Sequence, residues 1–259
     1  MPEFYSLDLD NWLAYLLILA RMMGIVFLFP FFNWPGIPVL LRVGISLMLA
    51  WLIYSSLPGE MVAVSASPLE AGLLLVKEVA AGLALGFMVS LCFSLFLKAG
   101  QLMDLGAGLT LSAVFSPQFG SQVTFIGQFY YLLVLVFYLS INGHHLFLAA
   151  LNESYHLIPV ATGLIPATVA GGMGKIFAHI FTLAFQIAAP VVMVLLIVDL
   201  ALGLIGKTVP QVHVFVEGLP LKIALSLVLL GLLLPAMALA WEGLLDSFSQ
   251  YLSWFMEAW

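Results

Sequence analysis

Six long apolar runs constrain this chain more than any other feature of its sequence. They cover residues 11–30, 39–57, 69–97, 129–151, 176–206 and 221–241. Each is long enough for a helix that crosses a hydrocarbon core of roughly 30 Å. Backbone polar groups in lipid must be satisfied internally, which favours α-helices. The sequence therefore predicts an all-α membrane protein of about six long apolar helices, paired in hairpins and kinked by proline.

Composition excludes several other classes. Of 259 residues, 64% are apolar and 8% are charged, whereas soluble domains are about one-quarter charged. Seven Lys and Arg residues without a basic cluster exclude a nucleic-acid partner. The single Cys92 excludes an internal disulfide and is expected to fill a small space in the core. The first ten residues carry acids and no base, so we expect no signal peptide there.

The connections between the runs are short and rich in proline and glycine. The fifth run has 31 residues and would reach about 46 Å as a helix. It must therefore tilt, bend at Pro190 or project from the bilayer. The predicted connections are a turn at 32–38, an acidic linker at 58–68, a Pro/Gly-rich stretch at 158–174 and a hairpin turn at 207–220, and an amphipathic tail ends the chain.

Basic residues indicate the orientation of the spans. Most of them fall at the odd-numbered connections, and the acids of both tails lie on the opposite side. The bases concerned are Arg42, Lys98, Lys207 and Lys222. The positive-inside rule then predicts that both termini face outward and that the third connection faces the cytoplasm.

The stretch at 104–128 does not fit either a span or an ordinary loop. It carries no charge after Asp104 and is interrupted by Gly106, Gly108, Pro117, Gly120 and Gly127. Irregular backbone at membrane depth is tolerated where protein shelters it or where it lines a cavity. We therefore predict that this central segment lines or closes a conduit.

Four ionisable residues lie inside or near the apolar runs: Arg21, Lys77, Glu78 and Asp199. A charge at mid-bilayer costs roughly 2.5–3.5 kcal/mol, so we expect each to face protein or water. They would serve either as a proton or ion relay, or as structural ion pairs between helices or with partner subunits. The second interpretation is favoured, because the two matched halves typical of many secondary transporters are not found.

No catalytic or cofactor site is predicted. The only metal-like cluster is His144, His145, Glu153 and His156. Glu153 and His156 have the i, i+3 spacing of carboxylate-bridged metal sites. Such a site needs a second pair of this kind on another helix, and the sequence contains none. Polar residues near the interface are the favoured interpretation. No nucleophile, base and orienting group occur in a recognisable arrangement, so an enzyme is not expected.

Small residues at a spacing of four occur in two runs. Gly82 and Gly86 form a GxxxG pair in the third run, and Ala184 and Ala188 a similar pair in the fifth. This spacing permits close approach of two helices.

The hairpin LALGLIGKTVPQVHVFVEGLPLK at 200–222 resembles the most distinctive motif of the FliR/SctT family, whose members are export-gate subunits of type III secretion systems. Supporting stretches lie at 21–46, 108–120 and 142–159. The resemblance covers almost the whole chain. The hairpin positions that it marks as a turn and partner contact are Gly203, Lys207, Pro210, Gln211, Phe215, Gly218 and Pro220.

The resemblance implies a non-enzymatic core subunit of a protein export gate in the bacterial inner membrane, within the flagellar basal body. Its partners would be FliP-like and FliQ-like subunits, an FlhB-like switch protein and unfolded export substrates. The helices would then pack in a helically wound hetero-oligomer rather than in a free-standing bundle. Residues 1–128 would form a FliP-like part, and residues 129–259 would contain a FliQ-like hairpin around 176–241.

The same resemblance implies that the loop at 104–124 plugs the channel. The implied plug residues are Gly106, Gly108, Leu109, Leu111, Val114, Phe115, Pro117 and Phe119. Apolar side chains dewet a constriction and hinder ions. An alternative function is that of a stand-alone secondary transporter of ions or small solutes, in which Arg21, Lys77 and Asp199 would be the coupling groups.

Overall fold

The computed structural model describes residues 9–34, 36–58, 67–110, 124–161, 167–208 and 214–257. Within these ranges it contains seven α-helices and no β-strand. They are α1 (Leu9–Leu28), α2 (Val39–Ser56), α3 (Pro68–Ala107), α4 (Phe125–Ser140), α5 (Gly143–Leu157), α6 (Ala167–Thr208) and α7 (Val214–Glu257). Five of them are long and apolar enough to cross a membrane, or up to six spans if α4 and α5 count together. The predicted all-α class of membrane protein is thereby confirmed.

Three helices extend well beyond the apolar runs that predicted them. Helices α3, α6 and α7 have 40, 42 and 44 residues, which corresponds to about 60 Å or more of helix. Hydropathy marks where apolar residues end, whereas a helix ends at a cap or a breaking residue. The predicted connection at 158–174 is therefore shorter than expected, since α6 already begins at Ala167.

The predicted fourth span at 129–151 is wrong as a single helix. Helices α4 and α5 are bent by 76° at the break between them. Asn142 has φ 58° and ψ 33°, the left-handed conformation, which asparagine tolerates better than most residues. Its N–H donates to the carbonyl of Leu139 at 3.1 Å, which closes the turn. Apolar residues on both sides of the break conceal it from a hydropathy analysis.

The chain divides into two compact units. One comprises Met1–Leu91, Tyr138–Lys175 and Gln250–Trp259. Its core is centred on α1, where Leu17, Ile18 and Ile25 are fully buried. The Tyr15 hydroxyl donates to the carbonyl of Leu47 at 3.2 Å and so links α1 to α2.

The second unit comprises Cys92–Phe137 and Ile176–Ser249. The indole of Trp241 packs against Phe93 and Phe96, with ring centroids 5.6 and 5.7 Å apart. Met103 and Ile126 are fully buried in the same unit. Helix α3 contributes its first part to one unit and its last part to the other.

Candidate functional site

Helix α3 ends at the start of the central segment in a Schellman motif. Gly108 has φ 78°, which a residue without a Cβ adopts freely. Its N–H donates to the carbonyl of Leu105 at 3.2 Å, and the N–H of Leu109 donates to that of Asp104 at 3.0 Å. These two bonds satisfy the last carbonyls of the helix. Irregular backbone therefore begins at Gly108, and the first residues of the predicted segment, including Gly106, are helical.

The side chain of Asp104 caps a second helix. Its Oδ1 accepts the N–H of Ile126 at 3.0 Å, and its Oδ2 accepts the N–H of Gly127 at 3.1 Å. These N–H groups belong to the first turn of α4, where the backbone has no helical partner of its own. A carboxylate at this position is also favoured by the helix dipole. Asp104 is fully buried and forms no ion pair within the part of the chain that the structure describes.

Two glycines bring α3 and α4 into backbone contact beside this cap. A Cβ added at Gly100 would meet the backbone of Gly127, and one added at Gly127 would lie 2.9 Å from the carbonyl oxygen of Leu97. Such distances leave no room for a side chain at either position. The close crossing places the N–H groups of α4 within reach of the short Asp104 side chain.

Three of the eight predicted plug residues lie within the described structure. Gly106 lies in the last turn of α3, where an added Cβ would be 3.2 Å from Cδ1 of Leu195. Gly108 and Leu109 form the Schellman motif. Outside the described residues lie Leu111, Val114, Phe115, Pro117 and Phe119.

Two of the four predicted buried charges form one ion pair. The Nε of Arg21 donates to Oε2 of Glu78 at 2.6 Å, with side-chain exposures of 0% and 3%. The Nη1 of Arg21 also donates to the carbonyls of Ser154 and Ile158 at 3.3 and 3.0 Å. The guanidinium carbon lies 4.2 Å from the centroid of the Tyr155 ring. One cation thus compensates a carboxylate on α3 and the C-terminal end of α5, where positive charge is favoured.

Glu78 is shared between this pair and a turn. Its Oε1 accepts the N–H of Ala161 at 3.0 Å, and Ala161 has a φ of 70°. Glu78 therefore helps to hold an otherwise unfavourable backbone conformation after α5.

Glycines again permit the helix crossing at this cluster. A Cβ at Gly82 would meet the backbone of Arg21, and one at Gly24 would lie 2.7 Å from the backbone N of Leu83. A Cβ at Gly86 would lie 3.0 Å from Cα of Ile25. The close approach predicted from the Gly82 and Gly86 spacing is confirmed.

The other two predicted buried charges are placed differently. Lys77 is half-buried. Asp199 is exposed in this chain, with 48% of its side chain accessible, and its carboxylate accepts the ammonium of Lys222 at 2.7 and 2.9 Å. The pair links α6 and α7 on a face that is otherwise apolar.

The described hairpin residues show one close contact. A Cβ at Gly218 would lie 2.7 Å from Cδ1 of Leu202, so the two helices approach closely there. A Cβ at Gly203 would meet nothing within 4 Å. Lys207 and Pro220 are exposed. Phe215 lies in the first turn of α7, whereas Pro210 and Gln211 lie outside the described residues.

The histidine cluster does not assemble into a metal site in the structure as described. No group of three or more His, Cys, Asp or Glu side chains that could hold a metal ion occurs among the described residues. The rings of His144 and His145 lie with centroids 4.3 Å apart and planes tilted by 39° at the start of α5.

Sequence reasoning missed the role of Asp104 and the contribution of α5. Asp104 was notable only as the last charge before an uncharged stretch. Its position near the end of one helix, with another helix start about twenty residues later, was the available signal. Nothing in the sequence pointed to the carbonyls of Ser154 and Ile158, because every residue carries such a group.

Comparison with known proteins gives a consistent result. The chain matches the family described as bacterial export proteins, family 1, over residues 12–248. It is 36% identical over 229 residues to the flagellar biosynthetic protein FliR of Bacillus subtilis (strain 168), with 86% of each chain covered. It is 27% identical over 233 residues to the protein of the same name from Escherichia coli (strain K12), with 88% of each chain covered. The corresponding protein of Aquifex aeolicus (strain VF5) is 27% identical over 243 residues, which cover 94% of this chain and 93% of that protein.

Proposed function

Because the chain belongs to family 1 of the bacterial export proteins, we propose that it is a non-enzymatic core subunit of the flagellar type III protein export gate. In this function it helps to form, and at rest to plug, the channel through which unfolded flagellar proteins leave the cell. The observation that carries the proposal is the match over residues 12–248, which includes nearly the whole chain. Relatives that carry the name flagellar biosynthetic protein FliR support the flagellar assignment.

The exposed apolar surface supports assembly with other subunits. In an apolar stretch of 18 residues within Gly171–Thr208 only 17% of the residues are buried in this chain, and in a stretch of the same length within Glu217–Met237 only 11% are. The exposed Asp199 carboxylate lies between these apolar helices, and a charged group facing lipid is costly. Neighbouring helical subunits that are FliP-like and FliQ-like, together with an FlhB-like switch protein, would cover these faces.

In this proposal, two successive parts of the chain resemble two different gate subunits. Residues 1–128 form the FliP-like part, and the α6 and α7 hairpin within 129–259 is FliQ-like. The basic residues at odd-numbered connections support an inner-membrane orientation with both termini in the periplasm.

The loop at 104–124, which forms most of the central segment, acts as the plug in this proposal. After Asp104 it carries no charge, so it offers ions no compensating group in a narrow passage. The single charge at its start is already occupied, because both Asp104 oxygens accept N–H groups of α4. An uncharged constriction of this kind resists ion leakage while it awaits an export substrate.

The alternative, a stand-alone secondary transporter, is less well supported. Its coupling groups would be Arg21, Lys77 and Asp199. In the structure, Arg21 is paired with Glu78 and bonded to two carbonyls, and Asp199 is paired with Lys222. Residues engaged in this way are poor candidates for carrying a mobile ion or proton.

Two experiments test the proposed function. Purification from membranes in mild detergent should yield the chain in a large complex with FliP-like and FliQ-like subunits. Solute uptake by the purified chain alone, reconstituted in vesicles, would instead favour the transporter.

Deletion of residues 108–116 addresses the plug. We expect the deletion to raise the resting ion leak of membranes that contain the assembled gate. A leak equal to that of the parent gate would exclude the plug assignment.

A further inference from the structure

We propose that Asp104 is a positioning residue that clamps the last turn of α3 to the first turn of α4, at the two ends of the central segment, and that this clamp maintains the resting seal. The proposal rests on the proposed function of the segment as a plug. It adds a specific residue and a specific contact through which the seal would be held. The contact consists entirely of described residues on α3 and α4.

The clamp joins positions that are far apart along the chain. Asp104 is 22 residues from Ile126 and 23 from Gly127. Its two carboxylate oxygens bond two adjacent N–H groups, so the link constrains both the distance and the direction of α4 relative to the end of α3. The last turn of α3 and the first turn of α4 are therefore held together by this side chain.

Two further contacts lie beside this link. The Schellman motif fixes the exit of the chain at Gly108. The contact between Gly100 and Gly127 holds the two helix backbones together one turn of α3 before Asp104. The side chain of Asp104 joins the two helix ends, so a substitution at 104 releases this link without altering any glycine.

The hydrogen bonds of Asp104 predict the effect of replacing it with asparagine. An asparagine at 104 has nearly the same volume and keeps one acceptor oxygen. Its amide nitrogen, however, is a donor, and it would face a second N–H donor on α4. Asp104→Asn therefore removes one bond and the negative charge that the N-terminus of α4 favours. The ends of the segment would separate more readily, and the resting leak would rise.

The first measurement is amide hydrogen exchange in the purified full gate complex, followed by mass spectrometry. In Asp104→Asn, exchange should accelerate about tenfold or more at whichever of Ile126 and Gly127 faces the amide nitrogen, as expected for the loss of a hydrogen bond to a charged group. Unchanged exchange at these two positions would overturn the clamp. This measurement does not depend on what the central segment does.

The second measurement is the ion leak of membrane vesicles that carry the full gate, followed as the decay of an imposed proton gradient and normalised to assembled complex. Asp104→Asn should raise the leak several-fold. The matched control is Glu78→Gln, which also converts a buried carboxylate of α3 to an amide. It should reduce the amount of assembled complex but leave the leak per complex at the parent level. A leak in Asp104→Asn no higher than in the parent would overturn the role in sealing.

A double variant separates a clamp from an ordinary helix cap. Thr124 immediately precedes α4, so Thr124→Asp supplies a local cap to the same N–H groups without a link to α3. In the Asp104→Asn background, we expect the local cap to restore slow exchange but not the seal. Restoration of the seal would show that capping α4 is sufficient, which would overturn the clamp.

The deletion of 108–116 keeps this proposal distinct from the function on which it rests. If the deletion raises the leak and Asp104→Asn does not, the plug stands and the clamp fails. If the deletion leaves the leak unchanged, the plug fails, and a seal maintained by Asp104 fails with it. In that case the exchange experiment still decides whether Asp104 holds the two helix ends.

Discussion

Glu78 and Asp104 are buried carboxylates on the same helix, α3, but they are stabilised in different ways. Glu78 pairs with the guanidinium of Arg21 at 2.6 Å and accepts one backbone N–H. Asp104 accepts two backbone N–H groups at 3.0 and 3.1 Å from the first turn of α4. In both places a glycine crossing brings the neighbouring helix close enough for the contact.

The two carboxylates differ because Glu78 belongs to an ion pair, whereas Asp104 caps a helix. Arg21 and Glu78 depend on each other, since removal of either leaves the other buried without a counter-charge. Asp104 depends on the partial positive charge of a helix end, which is weaker but strongly directional. The first arrangement is suited to holding a core together, and the second to setting the relative position of two helix ends.

The largest effect is expected from Arg21→Leu. Glu78 would remain buried without its cation, and the carbonyls of Ser154 and Ile158 would lose their bonds from Arg21, although the Ser154 carbonyl still accepts the N–H of Ile158. We expect a cost of about 3–5 kcal/mol in folding free energy, seen as a large fall in membrane-embedded protein and in the thermal midpoint of the solubilised complex. The double variant Arg21→Leu with Glu78→Leu should recover part of this loss. A double variant as unstable as the single one would contradict a mutual charge pair.

Paired carboxylate-to-amide variants compare the two sites directly. Glu78→Gln leaves Arg21 without a counter-charge, whereas Asp104→Asn leaves no uncompensated charge. We expect Asp104→Asn to cost about 1.5–3 kcal/mol and Glu78→Gln to cost more, as measured by thermal denaturation of the solubilised complex. The opposite order would show that Asp104 requires more than the two N–H groups of α4 to compensate its charge.

Alanine substitutions at the two crossings test whether close backbone contact is needed at both. Gly82→Ala and Gly100→Ala each place a Cβ against the backbone of a neighbouring helix, and we expect each to cost about 1–3 kcal/mol. Gly72→Ala is the control, because its Cβ would meet nothing within 4 Å. Alanine is favoured over glycine in a helix, so the control should be neutral or stabilising by up to about 1 kcal/mol. Equal midpoints for all three variants would contradict the role of the crossings.

The smallest effect is expected from Asp199→Asn. The Asp199 and Lys222 pair is partly exposed, and such pairs contribute about 0–1 kcal/mol. The thermal midpoint of the isolated chain in detergent should therefore change little. A fall as large as that of Asp104→Asn would place this pair with the buried contacts.

Much of the fold could be predicted because hydropathy is a local property. The second apolar run, 39–57, coincides with α2 almost to the residue. The break at Asn142 could not be predicted in the same way, because apolar residues lie on both sides of it and only the backbone conformation of one residue reveals it. The extension of α3 to Ala107 was missed because Lys98 and Asp104 interrupt the apolar run without interrupting the helix.

The candidate site could be predicted only in part. Arg21 and Glu78 were recognised as charges that need partners, yet they are 57 residues apart and their pairing follows from a helix crossing at Gly82. Asp104 was passed over, because an N-cap is normally sought immediately before its helix and this one comes from another helix.

The sequence by itself determined the class of protein, the approximate helices and the absence of charge in the central segment after Asp104. These follow from residue type and from the requirement that backbone groups in lipid be satisfied within a helix. The tertiary structure decided which charges are compensated and by what. The reason is that hydrogen bonds and ion pairs act over about 3 Å, so they depend on which distant helices meet. In this protein, glycines allow α1 and α4 to approach α3 closely enough for such contacts.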